Sequence, residues 1–224
     1  HYVERQPRAI RNSFKRLGVT LKNVRNEKKI FLFLLAFFFY IDGVYTIIDM
    51  ATAYGTALGF DSTKLLLALL VTQIVAFPFA IIFGRLATRY KTERLITICI
   101  AAYLGIAVFA IFLKEQWQFW ILAILVGMFQ GGIQALSRSY FARIIPPEKS
   151  GEYFGLMDIC GKGASFFGTT VISLISQVTG KVNIGVGAIS LFFVLGMIVF
   201  RMATVEEKGK VRKVEMRLGE DGVS

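Results

Sequence analysis

The sequence predicts an all-α polytopic membrane protein with six transmembrane helices, and three observations carry that prediction. Apolar residues make up 55% of the 224 residues, with a mean hydropathy of +0.59, and they fall in long unbroken runs. Six such runs, at residues 30–58, 65–86, 95–113, 117–144, 153–178 and 184–202, each approach or exceed the ~20 residues that cross a ~30 Å hydrocarbon core as helix. The lysines and arginines sit between and beside the runs, where they set topology rather than a nucleic-acid face. No nucleic-acid partner is expected, despite a net charge of +11.

Taken in order, the chain opens with a basic arm at residues 1–29. There Phe14, Leu17, Leu21 and Val24 recur at helical spacing and suggest an amphipathic helix on the bilayer surface. A solvated basic tail is the alternative. His1 is the only histidine, which removes most His-dependent catalysis and any HExxH zinc site; no enzyme activity, cofactor or metal is expected. With no opening methionine or signal peptide, the chain reads as a piece of a longer protein. Cys99 and Cys160 lie in different apolar runs and read as packing residues.

The first run holds Asp42 and Asp49, two turns apart and therefore on one face, with Tyr45 and Thr46 between them. Asp42 falls near the bilayer middle, where an acid is costly and marks a pathway; Asp49 is either part of that pathway or interfacial. The second run carries Gln73 and Pro78, read as a kink, and ends in a basic turn, GRLATRYKTER. The third is plain packing helix, and so is the sixth, whose Gly185, Gly187 and Gly196 read as packing points. The fourth bears a polar stripe of Gly127, Gln130, Gly131, Gln134 and Arg138 before Pro146 and Pro147 stop the helix.

The fifth run again has one polar face, Gly155, Asp158, Lys162, Ser165 and Thr169, and a GxxxG pair at Gly151 and Gly155 suited to close helix approach. Asp158 and Lys162 are spaced for an ion pair along that face. Asp42 and Lys162 both count to mid-membrane depth, so a pair across helices is also expected, with Asp42 exchanging protons and Lys162 receiving an anionic group. The segment GLMDICGKG is not a phosphate loop: Leu156 and Gly163 stand where glycine and Ser/Thr are required. Residues 203–224 form a tail of mixed charge. Twenty-two basic residues lie on the side of the two termini and three (Lys64, Lys114, Lys181) opposite, so both termini are expected in the cytoplasm.

The basic turn resembles the loop motif of the major facilitator superfamily: Gly84, Arg89 and Arg94 match, whereas Thr88 and Lys91 replace the acid and a glycine. Residues 40–48 (YIDGVYTII) and 131–156 (GGIQALSRSYFARIIPPEKSGEYFGL) resemble the branch with the autophagy-related vacuolar amino-acid effluxers and their bacterial relatives. The resemblance covers residues ~10–205 and corresponds to that family's second half. It implies one six-helix lobe at 30–202, an inter-lobe linker at 1–29 and a missing N-terminal lobe. It also implies alternating-access transport of a small solute through a cavity lined by the first, second, fourth and fifth helices. The candidate pathway is Asp42, Tyr45, Asp49, Gln130, Gln134, Arg138, Asp158 and Lys162; Gly84, Arg89 and Arg94 form a candidate cytoplasmic gate loop. A bacterial cytoplasmic membrane is the expected location, with lipid, solute and protons as partners. A receptor or scaffold of the same fold, or a lipid flippase, remain the alternative functions.

Overall fold

The computed structural model describes residue 24, residues 27–180 and residues 182–221. The surface helix expected in the basic arm falls outside these, apart from Val24 and residues 27–29. Six helices make up the described chain: α1 (Lys28–Ala57), α2 (Ser62–Arg89), α3 (Thr92–Ile111), α4 (Gln116–Ile144), α5 (Ser150–Thr179) and α6 (Val182–Asp221). A short 3-10 turn, Pro147–Lys149, precedes α5. Each of the six contains a stretch long and apolar enough to cross a membrane, so the all-α polytopic expectation holds.

Helix ends follow local chemistry. Asp61 caps α2 by accepting from the Lys64 amide at 2.9 Å. The Gln118 side chain turns back to the amides of Lys114 and Glu115 at the start of α4, closing a capping box. Pro146 and Pro147 separate α4 from α5, and Gly180 ends α5 in the left-handed conformation, φ 65°. Observed helices run past the apolar runs because backbone hydrogen bonding needs no apolar side chains once a helix is nucleated. The clearest case is α6, which continues from its apolar part to Asp221. Likewise α2 passes through Pro78 without ending.

The helices pack as two groups, α1 with α5 and α6, and α4 with α2 and α3, joined chiefly through α3 against α6. Helix α1 is the centre: 67% of its most apolar 18-residue stretch is buried, against 17% for α2 and 22% for α5. Phe33 of α1 meets Tyr140 and Phe141 of α4 and Phe200 of α6, ring centroids 5.2–6.2 Å apart. Glycines set the closest approaches. Gly196 of α6 lies against the backbone of Tyr40, and Gly43 of α1 receives the Phe193 ring. Gly127 and Gly131 of α4 lie against the Thr72 and Ala76 carbonyls of α2. The hydroxyl of Thr72 completes that seam by donating to Ala123 of α4 at 3.1 Å. Cys99 is buried, Cys160 half-buried, and both are free thiols.

Helices α4 and α5 do not pack closely on each other. The space between them is where the polar faces meet.

Candidate functional site

The polar residues of α1, α4 and α5 form two adjoining groups. The first lines a cavity of about 90 Å³ bounded by Phe37, Ile41 and Tyr45 of α1, Gln134 and Arg138 of α4, and Asp158 and Lys162 of α5. Across its mouth the Arg138 guanidinium donates to Asp158 Oδ1 at 2.8 Å. This bridge is half open to the exterior, the side chains being 56% and 48% exposed. Lys162 is exposed beside it and makes no hydrogen bond or ion pair with any described residue. Two cations and one acid leave the cluster with a surplus positive charge.

The within-helix pair expected between Asp158 and Lys162 is therefore replaced by a bridge between helices. The Arg138 side chain is long enough to span the gap between α4 and α5, and its planar fork suits a carboxylate better than a lysine does. The polar stripe of α4 also divides by depth. Gly127 and Gly131 serve the α2 seam, Gln134 and Arg138 reach the cavity, and Gln130 is half-buried with its Oε1 unpaired among the described residues.

The second group surrounds Asp42, which is fully buried midway along α1. Its Oδ1 accepts from the backbone amide of Gly168 on α5 at 2.9 Å and from the Thr46 hydroxyl at 3.2 Å. Its Oδ2 is buried with no partner among the described residues. Two turns further along the same face, Asp49 accepts from Ser165 of α5 at 2.7 Å, in an exposed position. The two acids thus meet the Ser165–Gly168 stretch of α5 from one face of α1, but Asp42 does not pair with Lys162. Gly168 lies six residues beyond Lys162, ~9 Å along the helix, and its missing side chain lets the carboxylate reach the backbone. A side chain at 168 would collide with both Asp42 and Thr46. Close approach on α5 occurs here, whereas Gly151 and Gly155 have open space above them, so the GxxxG pair is not used within this lobe.

The expected basic turn is mostly helix, with Gly84, Arg85 and Arg89 in the last turns of α2, Arg94 in the first turn of α3 and only Tyr90 and Lys91 between; Arg85, Arg89 and Arg94 are exposed, and Gly84 touches nothing within 4 Å. Residues that the sequence reading passed over include the buried pair Tyr40–Ser137, 2.7 Å apart between α1 and α4. Ser137 had a signal in its place, three residues after Gln134 and beside Arg138; Tyr40 was hidden within an aromatic run. Among the described residues, no group of three or more His, Cys, Asp or Glu is placed to hold a metal ion.

Comparison with known sequences agrees with this architecture. The profile of the family described as "Vacuole effluxer Atg22 like" matches residues 3–214. The MFS-type transporter YxiO of Bacillus subtilis is 47% identical over 206 residues, 92% of this chain and 48% of the relative. Autophagy-related protein 22-2 of Aspergillus niger is 28% identical, over 94% of this chain and 37% of its own length. Autophagy-related protein 22 of Coccidioides immitis is 25% identical, over 92% and 37%. The chain spans about half or less of the length of these relatives. A match across nearly all of the chain, on six apolar helices, makes it a member of the Atg22-like vacuole effluxer family of major facilitator-type proteins.

Proposed function

We propose that this chain forms one lobe of a secondary transporter that carries a small solute bearing a carboxylate, an amino acid being the solute class that fits. The observation behind the reading is the Arg138–Asp158–Lys162 cluster, set within membrane-spanning helices yet open between α4 and α5. Charges in a span are expensive, and a packing role would bury and neutralise them; here one cation is left over. That surplus suits an anionic group, while Asp158 can exchange its guanidinium for an ammonium. At about 90 Å³ the cavity holds roughly three waters, well below the ~300 Å³ of a complete ligand site. The rest of the site would come from a second six-helix lobe facing α2 and α5, whose apolar stretches are the least buried. The relatives named as an MFS-type transporter and as effluxer-like proteins support transport, with each lobe rocking about the site.

In this reading the two acids divide the work. Asp158 belongs to the solute cluster, and Asp42, with one oxygen bonded and the other free, is the proton carrier. Arg89 and its exposed basic neighbours at the end of α2 and the start of α3 would contact the opposing lobe. The test is uptake of labelled neutral amino acids by proteoliposomes containing the full-length protein. Lys162→Met is expected to lower uptake roughly tenfold or more, the loss of ~1.4 kcal/mol of transition-state stabilisation or beyond. Arg138→Gln should do likewise without loss of folding, since the bridge is half exposed. Unchanged uptake in both variants would remove the cluster from the pathway.

Both termini are assigned to the cytoplasm in a bacterial membrane, from twenty-two basic residues against three. Cysteines introduced at Ser62 and Lys114, in a background without Cys99 and Cys160, should react with an impermeant thiol reagent from outside. Labelling from the cytoplasmic face alone would invert the assignment.

A further inference from the structure

Helix α1 holds both walls of the charged cavity, and it does so with two buried hydrogen bonds that leave it on different sides. Tyr40 and Ser137, each fully buried, meet at 2.7 Å between α1 and α4. The Ser137 hydroxyl gives its single proton to the Ile133 carbonyl at 2.6 Å, so the Tyr40 hydroxyl is the donor across the helices. Two residues further along α1, Asp42 accepts from the Gly168 amide of α5. A two-residue step is ~3 Å of rise and about 200° of turn, so α1 grips α4 and α5 at nearly one level. Among the described residues, α1 is the helix that packs against both α4 and α5, which do not pack closely on each other. It is the post that sets their spacing. The Tyr40 ring also meets Phe37 edge-on, centroids 5.6 Å apart, and Phe37 lines the cavity.

We infer that Tyr40 and Ser137 are positioning residues for the charged cluster: their bond fixes the rotation and distance of α4 against α1 and thereby aims Arg138 at Asp158. Neither lines the cavity, so both act through their neighbours. Successive residues lie ~100° apart around a helix, and holding Ser137 against α1 turns the adjacent Arg138 toward α5. The 2.8 Å bridge to Asp158 crosses a gap that α4 and α5 do not close themselves, so it depends on that rotation. Packing alone would be met by phenylalanine and alanine at these two places, without placing hydroxyls in an apolar core. In a cluster that binds solute, the clasp sets the span between the cations that take a carboxylate and the acid that takes an ammonium; this consequence rests on the transport reading above.

Three variants of the full-length protein separate positioning from packing. Tyr40→Phe keeps the ring and leaves Ser137 its bond to Ile133. Ser137→Ala strands the buried Tyr40 hydroxyl and should lower the unfolding temperature. The double variant removes both hydroxyls, strands neither, and should recover stability toward the parent. Spin labels on cysteines at Trp117 and Val178, exposed near the outer ends of α4 and α5, read the spacing of these helices within one lobe, in a background without other cysteines. Double electron–electron resonance should give a broadened or displaced distance distribution in all three variants. Proteoliposome uptake of labelled alanine, serine, leucine and phenylalanine should show KM raised ~5-fold for each solute the parent carries, with the maximal rate near that of the parent. Ser137→Thr, which keeps a hydroxyl, should match the parent in both measurements. A parent-like distance distribution in the double variant, or a KM that recovers along with its stability, would assign the pair to packing and overturn the inference. Altered distances in a protein that carries none of the four amino acids would remove the transport reading and leave the clasp in place.

Discussion

Asp42→Asn is expected to abolish uptake driven by a pH gradient, by roughly tenfold or more, while leaving solute exchange and folding close to the parent. The asparagine carbonyl can take over both hydrogen bonds of Asp42 Oδ1, from the Gly168 amide and the Thr46 hydroxyl. The change falls on the other atom. Oδ2 is buried without a partner among the described residues, so it is the atom that can hold a proton, and an amide cannot release one there. The stability change should stay within ~1 kcal/mol because shape and acceptor are kept. Asp42→Leu separates the two roles. It removes the acceptor and strands a buried amide and hydroxyl, costing ~1–3 kcal/mol on top of the lost coupling. Accumulation is measured in proteoliposomes with and without an imposed gradient, and exchange by counterflow with no gradient. If Asp42→Asn still accumulates solute with the gradient, Asp42 is a structural clasp between α1 and α5 and the proton route lies elsewhere.

Gly168→Val is the substitution expected to damage the fold most. A β-carbon at this position collides with the Asp42 carboxylate and the Thr46 hydroxyl, neither of which has free space to retreat into midway along buried α1. Overpacking of this kind costs ~1–3 kcal/mol, and pushing Asp42 off the α5 backbone adds the loss of a hydrogen bond to a buried acid. Thermal unfolding in detergent should fall by several degrees. Gly105→Val on α3, where nothing lies within 4 Å, serves as the matched control and should unfold near the parent temperature. A second comparison isolates the contact. Gly168→Ala combined with Asp42→Ala should be less destabilised than the sum of the single changes, because removing the carboxylate opens the space the methyl needs. Unfolding of Gly168→Val at the parent temperature would show that α1 and α5 are not held this closely.

The site was legible in parts that depend on residue type and spacing. Arg138, Asp158, Lys162, Gln134 and Tyr45 stand out because polar groups in apolar helices are few, and helical spacing places each on one face. Partner choice was not legible. Asp158 had a lysine four residues away, yet it bonds to Arg138, twenty residues off on another helix. Asp42 and Lys162 count to similar depths, and α1 lies against α5 at both Gly161 and Gly168, but the Asp42 carboxylate meets the Gly168 amide and not Lys162. A glycine there carries no sign of the acid it accommodates.

Number and order of the helices follow from the sequence alone, because lipid cannot satisfy backbone groups and each apolar run must close its own hydrogen bonds. So does the asymmetry of charge along the chain, which is a count of lysines and arginines. Family membership was also readable, in the residues around 40–48 and 131–156. The contacts between helices required the folded chain. Most of the six helices are apolar over most of their surface, so hydropathy does not say which face meets which neighbour, and small residues set the distance of approach. Gly127 and Gly131 read as part of a polar stripe and turned out to seat α4 on α2; Gly151 and Gly155 read as a packing pair and face open space. The charged cluster arises the same way, from residues far apart in sequence brought together by the packing of α1 against its neighbours.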